Sequence, residues 1–119
     1  MAICHNKKYE REFIKNIHDE NHHCERVAGS GSGENSVCDV LVFTAIKHFM
    51  VEVKTTKKKK FYVRVKDKKQ LEKMISVARK INAIPLLAVK FKQRGWKYFD
   101  LNKEWSEFIY ENGNEVLIS

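Results

Sequence analysis

The stretch Met50-Val51-Glu52-Val53-Lys54-Thr55-Thr56, read as MVEVKTT over residues 50–56, decides how the chain is built. Its alternation predicts a β-strand with Val51 and Val53 on one face and Glu52 and Lys54 on the other, the latter pair ~6.6 Å apart along the strand. If the valine face packs on a helix, the Glu/Lys face has to meet solvent, a counter-charge or a metal, because an unpaired buried charge is very costly. The ordinary alternative is a solvated strand face carrying a weak ion pair worth ~0–1 kcal/mol.

Working outward, residues 37–46 are rich in β-branched and aromatic side chains, and only Lys47 and His48 separate them from residues 49–54, which predicts an antiparallel hairpin. Tyr9, Phe13, Ile14 and Ile17 recur at near-helical spacing and predict an amphipathic helix over 7–21, with Glu10 and Arg11 near its start. A short strand over 24–28 and the loop GSGSGENS (29–36) follow. Beyond the quoted strand, Phe61-Tyr62-Val63 forms a short extended piece. Leu71, Met74, Ile75, Ala78 and Ile81 then mark a second helix. Pro85 precedes Leu86-Leu87-Ala88-Val89, an apolar run expected of a strand covered on both faces, and Gly95 separates it from a neighbouring strand over 96–101. EWSEFIY (104–110) reads as a short helix and EVLIS (115–119) as a last strand or tail. The order αβββαββ implies an α/β fold, a mixed central β-sheet flanked by helices.

The 119 residues match one domain, 1–119, with a single core. No apolar run approaches the roughly 20 residues that span a bilayer, and no secretory h-region is present near the N-terminus, so the expectation is a cytoplasmic protein with no membrane partner. Cys4, Cys24 and Cys38 form no CxxC pair, which points to reduced thiols. Lys and Arg (23) exceed Asp and Glu (15), giving +8, mostly between Lys54 and Lys97. Such an excess predicts a polyanionic partner, with nucleic acid ahead of membrane because no basic amphipathic helix with an aromatic face is evident. The glycine-rich loop lacks the Gly-Lys-Ser/Thr ending of a P-loop, and His18 with His22 lacks the second pair a zinc site needs.

Asp39, in VCDVLVF, interrupts the other strand of the hairpin thirteen residues before Glu52. Two carboxylates at one end of a sheet repel unless a divalent cation neutralises them, and Mg²⁺ takes one or two carboxylates together with phosphate oxygens. A lysine beside them would stabilise a phosphodiester as charge builds at its reacting centre. Lys57, Lys58, Lys59 and Lys60 follow directly and are placed to hold backbone phosphates rather than only to form a solvated loop.

Asp39 followed by Glu52-Val53-Lys54 resembles the PD-(D/E)xK nuclease superfamily, with Cys38 where that pattern often has proline. Tyr9-Glu10-Arg11-Glu12, Arg26-Val27-Ala28-Gly29-Ser30, VEVKTTKK, and Ile84 to Phe91 with Trp96 resemble, in the same order, the archaeal-type Holliday junction resolvases. The likeness runs from about residue 7 to residue 101. The resemblance implies a restriction endonuclease-like core and a Mg²⁺-dependent endonuclease, with Mn²⁺ able to substitute, that resolves four-way DNA junctions as a homodimer. It further implies Asp39 and Glu52 as metal ligands, Glu10 as the additional acid near the metal, Lys54 as the catalytic lysine and Ser30 as a residue beside the active site. Arg11, Arg26, Ser30 and Lys57–Lys60 are then DNA contacts. The residues leave open a repair or restriction-type nuclease with the same site, and a basic DNA-binding module without catalysis. Glu10 also has an ordinary alternative as a helix N-terminal carboxylate held by the macrodipole.

Overall fold

The strand quoted above is the centre of the molecule. The computed structural model describes residues 4–27, 36–103, 105–106 and 108–110. Along these run α1 (Cys4–Ile17), β1 (His23–Arg26), β2 (Val40–Phe43), β3 (His48–Thr56), β4 (Lys60–Tyr62), α2 (Val65–Lys80), β5 (Ile84–Phe91), β6 (Gly95–Asp100) and β7 (Phe108–Tyr110). The main sheet has the order β1-β2-β3-β5-β6, and β4 pairs with β7 in a second, two-stranded sheet. β3 runs parallel to β5 and every other pairing is antiparallel. Parallel neighbours require a long crossover, which β4 and α2 supply between β3 and β5. The architecture is thus the expected mixed sheet flanked by helices.

The alternation of β3 sorts the core into two layers. Val51 and Val53 join Val40, Val42, Leu86 and Ala88 on the face covered by α1, where Phe13 is fully buried between Trp96 and Tyr98, each ring centroid 5.8 Å away. Met50 joins Leu87, Val89 and Phe91 on the face covered by Leu71, Met74, Ile75 and Ala78 of α2. The apolar run in β5 serves both layers, as its lack of alternation predicts. Glu52 and Lys54 share the parity of Met50. They therefore lie on the α2 side, just where that helix begins.

Four expectations are corrected. α1 begins at Cys4, so Glu10 and Arg11 sit in mid-helix and no macrodipole argument applies to Glu10. A two-residue connection at Lys47–His48 would have set Asp39 against Thr56. Instead Phe43 pairs with His48 and residues 44–47 make the turn, in which the Thr44 Oγ1 donates to the Lys47 carbonyl at 3.0 Å and accepts from the Lys47 N–H at 3.0 Å. That threonine closes the turn, and the β-branched Ile46, counted as strand, is left 86% exposed. Continuing the observed Val40↔Val51 register by one residue places Asp39 opposite Glu52. Third, residues 108–110 are strand rather than helix, because β4 offers an edge whose N–H and C=O groups they pair; EVLIS lies outside the described residues. Fourth, the short extended piece runs over Lys60–Tyr62, and Val63 lies just beyond it, buried at 3% exposure.

At the end of α2, Arg79 and Lys80 complement the carbonyl end of the helix dipole, and Asn82 follows in the left-handed region (φ 57°). The His48 ring, with Nε2 2.9 Å from the Ile81 carbonyl, ties this end of the helix to the start of β3. Among the described residues no helix is long and apolar enough to cross a membrane.

Candidate active site

Asp39, Glu52 and Lys54 converge, and each is fixed by the sheet that carries it. Asp39 precedes β2 and is 5% exposed; its N–H donates to the Val51 carbonyl and its carbonyl accepts from Val27, both at 2.9 Å. Its side-chain Oδ2 accepts from the Val53 N–H at 2.8 Å, so the carboxylate is turned onto β3. Glu52 is 3% exposed. One of its oxygens, Oε2, lies 3.3 Å from Lys54 Nζ, while Oε1 is buried and meets no hydrogen-bond partner among the described residues. A buried, half-satisfied carboxylate beside a second carboxylate is costly to keep charged. Burial first and Asp39 second push Glu52 up to about 8, against the smaller opposing pull of Lys54.

Lys54 has a second partner the sequence reading did not find. Its Nζ lies 3.3 Å from Asp67 Oδ1, and the other Asp67 oxygen accepts from the Arg64 N–H at 3.1 Å. Arg64 is the extended residue before α2, so Asp67 satisfies one of the N–H groups a helix start leaves unpaired. Burial works against the Lys54 charge, but Glu52 and then Asp67 outweigh it and hold the ammonium above its ordinary range. The sequence signal for Asp67 was slight, an acid three residues after Arg64 at the entry to a helix, where a carboxylate favours the dipole.

The other predicted residues are placed as follows. Glu10 is 2% exposed and accepts from Arg26 Nε at 3.0 Å, an ion pair that joins mid-α1 to the end of β1. Among the described residues no three His, Cys, Asp or Glu side chains form a ready-made metal cage. Arg11 is exposed on α1. Ser30, with residues 28–35 around it, lies outside the described residues. Lys57–Lys60 are exposed beyond β3, and Lys58 and Lys60 line an open groove of about 780 Å³ together with Lys54, Thr55, Thr56, Phe61, Tyr62, Arg64, Lys66 and Asp67. Five cationic side chains against one carboxylate make the groove positive.

The donor set fits a hard divalent cation. Asp39 and Glu52 offer only carboxylate oxygens, Oε1 of Glu52 has no hydrogen-bond partner among the described residues, and their mutual repulsion is what a cation relieves. The neighbouring Cys38 thiol is pushed up to about 12, chiefly by burial.

The family model for archaeal Holliday junction resolvases (Hjc) matches residues 4–113. The chain belongs to this family. The resolvase is also similar to a solved structure, that of Archaeoglobus fulgidus Hjc, described as a Holliday junction resolvase from an archaeal hyperthermophile. The two share 24% sequence identity with a TM-score of 0.70, covering 87% of this chain and 85% of that one. That likeness carries the α/β fold of the resolvase, and the family match carries its activity as a junction-resolving nuclease.

Proposed function

We propose that this resolvase cuts four-way DNA junctions by divalent-metal-dependent phosphodiester hydrolysis at Asp39, Glu52 and Lys54, as a homodimer whose two sites make the paired cuts. The observation that carries the metal dependence is Glu52: a buried carboxylate with one oxygen that has no hydrogen-bond partner among the described residues, set by register opposite Asp39. Mg²⁺, or Mn²⁺ in its place, when bound supplies charge neutralisation and Lewis-acid stabilisation to the phosphodiester. Asp39 and Glu52 would hold it. Lys54, kept charged by Glu52 and Asp67, faces the groove and stabilises negative charge as it builds on the phosphate oxygens. Glu10, paired with Arg26, remains the proposed additional acid near the metal, and Arg11 and Ser30 remain proposed contacts to the substrate. Two-fold symmetry gives two equivalent sites at a fixed separation, which matches a substrate that needs two symmetric cuts.

The groove lysines position the DNA backbone. Exchanging both Lys58 and Lys60 for Ala is expected to weaken junction binding and to flatten the slope of log affinity against log salt by about 2, while cleavage at saturating enzyme is retained. An unchanged salt slope in a filter-binding titration would remove these lysines from the interface. The choice of substrate is tested by comparing cleavage of a four-way junction with that of linear duplex and flap DNA in Mg²⁺. Preferential cutting of the junction is expected, and equal cutting of all three would assign the site to a general nuclease.

A further inference from the structure

Asp67 stands outside the Asp39–Glu52 pair yet touches the one lysine the chemistry needs. Its two oxygens have different tasks: Oδ2 is held by the Arg64 N–H at 3.1 Å, and Oδ1 meets Lys54 Nζ at 3.3 Å. The side chain is 9% exposed and bound at both ends, so its carboxylate has a fixed place relative to β3. A lysine stem by contrast has many rotamers, and little in the stem itself would keep the ammonium at one point. Glu52 cannot be its sole anchor if that carboxylate is engaged elsewhere during the reaction. Asp67 is a second anchor that does not depend on what Glu52 binds.

We infer that Asp67 is a positioning residue: from the first turn of α2 it holds the Lys54 ammonium at the head of the basic groove. The inference rests on the proposed hydrolysis at Asp39, Glu52 and Lys54. It makes the docking of α2 on the sheet part of the active-site geometry, because the helix start that Asp67 caps is also the wall of the groove lined by Arg64 and Lys66. A purely capping role and a positioning role predict different behaviour. Asn at this position keeps an oxygen for the Arg64 N–H and lacks the charge that attracts Lys54, whereas Glu keeps the charge on a longer stem.

The test uses the full chain, with single-turnover cleavage of a four-way junction in Mg²⁺, junction binding in EDTA and thermal unfolding measured side by side. Asp67→Asn is expected to slow cleavage about 10- to 100-fold, the scale of a misplaced reacting group. Its junction affinity stays within about twofold and its unfolding midpoint stays near that of the wild type. Asp67→Glu regains part of the rate. In a Lys54→Ala background, followed over long time courses, adding Asp67→Asn costs nothing further, because the effect is exerted through the lysine. Wild-type cleavage together with an unimpaired Asp67→Asn rate overturns the role of Asp67 alone, as does an equal loss in the Lys54→Ala background. A wild-type chain that leaves the junction intact overturns the hydrolysis reading and this role with it.

Discussion

Glu52→Gln is expected to give a protein that is more stable than the wild type at pH 8 without divalent metal, and unable to cut DNA. Glu52 is raised in the folded chain from an ordinary 4.5 to about 8, chiefly by burial. Below the ordinary value both folded and unfolded chains carry the proton. Between about 4.5 and 8 the folded chain keeps a proton that the unfolded chain releases, so stability falls as pH rises through this window and levels off above it. The difference across the window is on the order of 5 kcal/mol. Glutamine abolishes the titration, so the variant gains most over the wild type at pH 8 and little at pH 4.5. Mg²⁺ reverses the ranking: it stabilises the wild type by mass action and leaves the variant's midpoint unchanged. Thermal unfolding at several pH values, with and without Mg²⁺, checks both statements. A wild type whose apo stability does not fall between pH 5 and pH 8 would contradict them.

Arg26→Ala is expected to destabilise the fold by about 3 kcal/mol or more, as judged by denaturant midpoint at constant slope. Arg26 and Glu10 both read from the sequence as surface-active groups, one on DNA and one on metal. The structure pairs them at 3.0 Å, with Glu10 buried at 2% exposure. Removing the guanidinium takes a paired counter-charge from a buried carboxylate, a larger penalty than deleting an exposed ion pair. Glu10→Gln, by contrast, keeps a hydrogen-bonding side chain without the charge and costs much less. The two variants also separate structure from chemistry: cleavage lost in a well-folded Glu10→Gln assigns that residue to the reaction. A loss of less than about 1 kcal/mol in Arg26→Ala would show that the pair does not hold α1 to β1.

The valine and Glu/Lys faces of MVEVKTT were legible because strand alternation is strict. One valine layer packed under a helix forces its neighbours to the other side. The two helices and the doubly covered β5 followed from equally simple periodicities. The pairing of Asp39 with Glu52 was legible only as a neighbourhood, since register depends on the turn, and Thr44 closes a turn earlier in the chain than the run of apolar residues suggests. Asp67 was hidden for a different reason. It lies within the crossover itself, and nothing in a run of charged residues such as VKDKK tells which one folds back onto a strand eleven or more residues earlier. The β4–β7 pairing likewise depends on an edge that forms only in the folded state, which local propensity does not encode.

Cleavage of a four-way junction by wild type, Glu52→Ala and Asp39→Ala, in Mg²⁺ and in EDTA, with junction binding measured on the same samples, tests the metal-dependent site most directly. The expected result is paired cutting by the wild type in Mg²⁺ only, and near-normal binding by both variants with cleavage reduced by about 10³-fold or more. Undiminished cleavage by Glu52→Ala, or wild-type cleavage that persists in EDTA, would contradict a metal-dependent site built on Asp39 and Glu52.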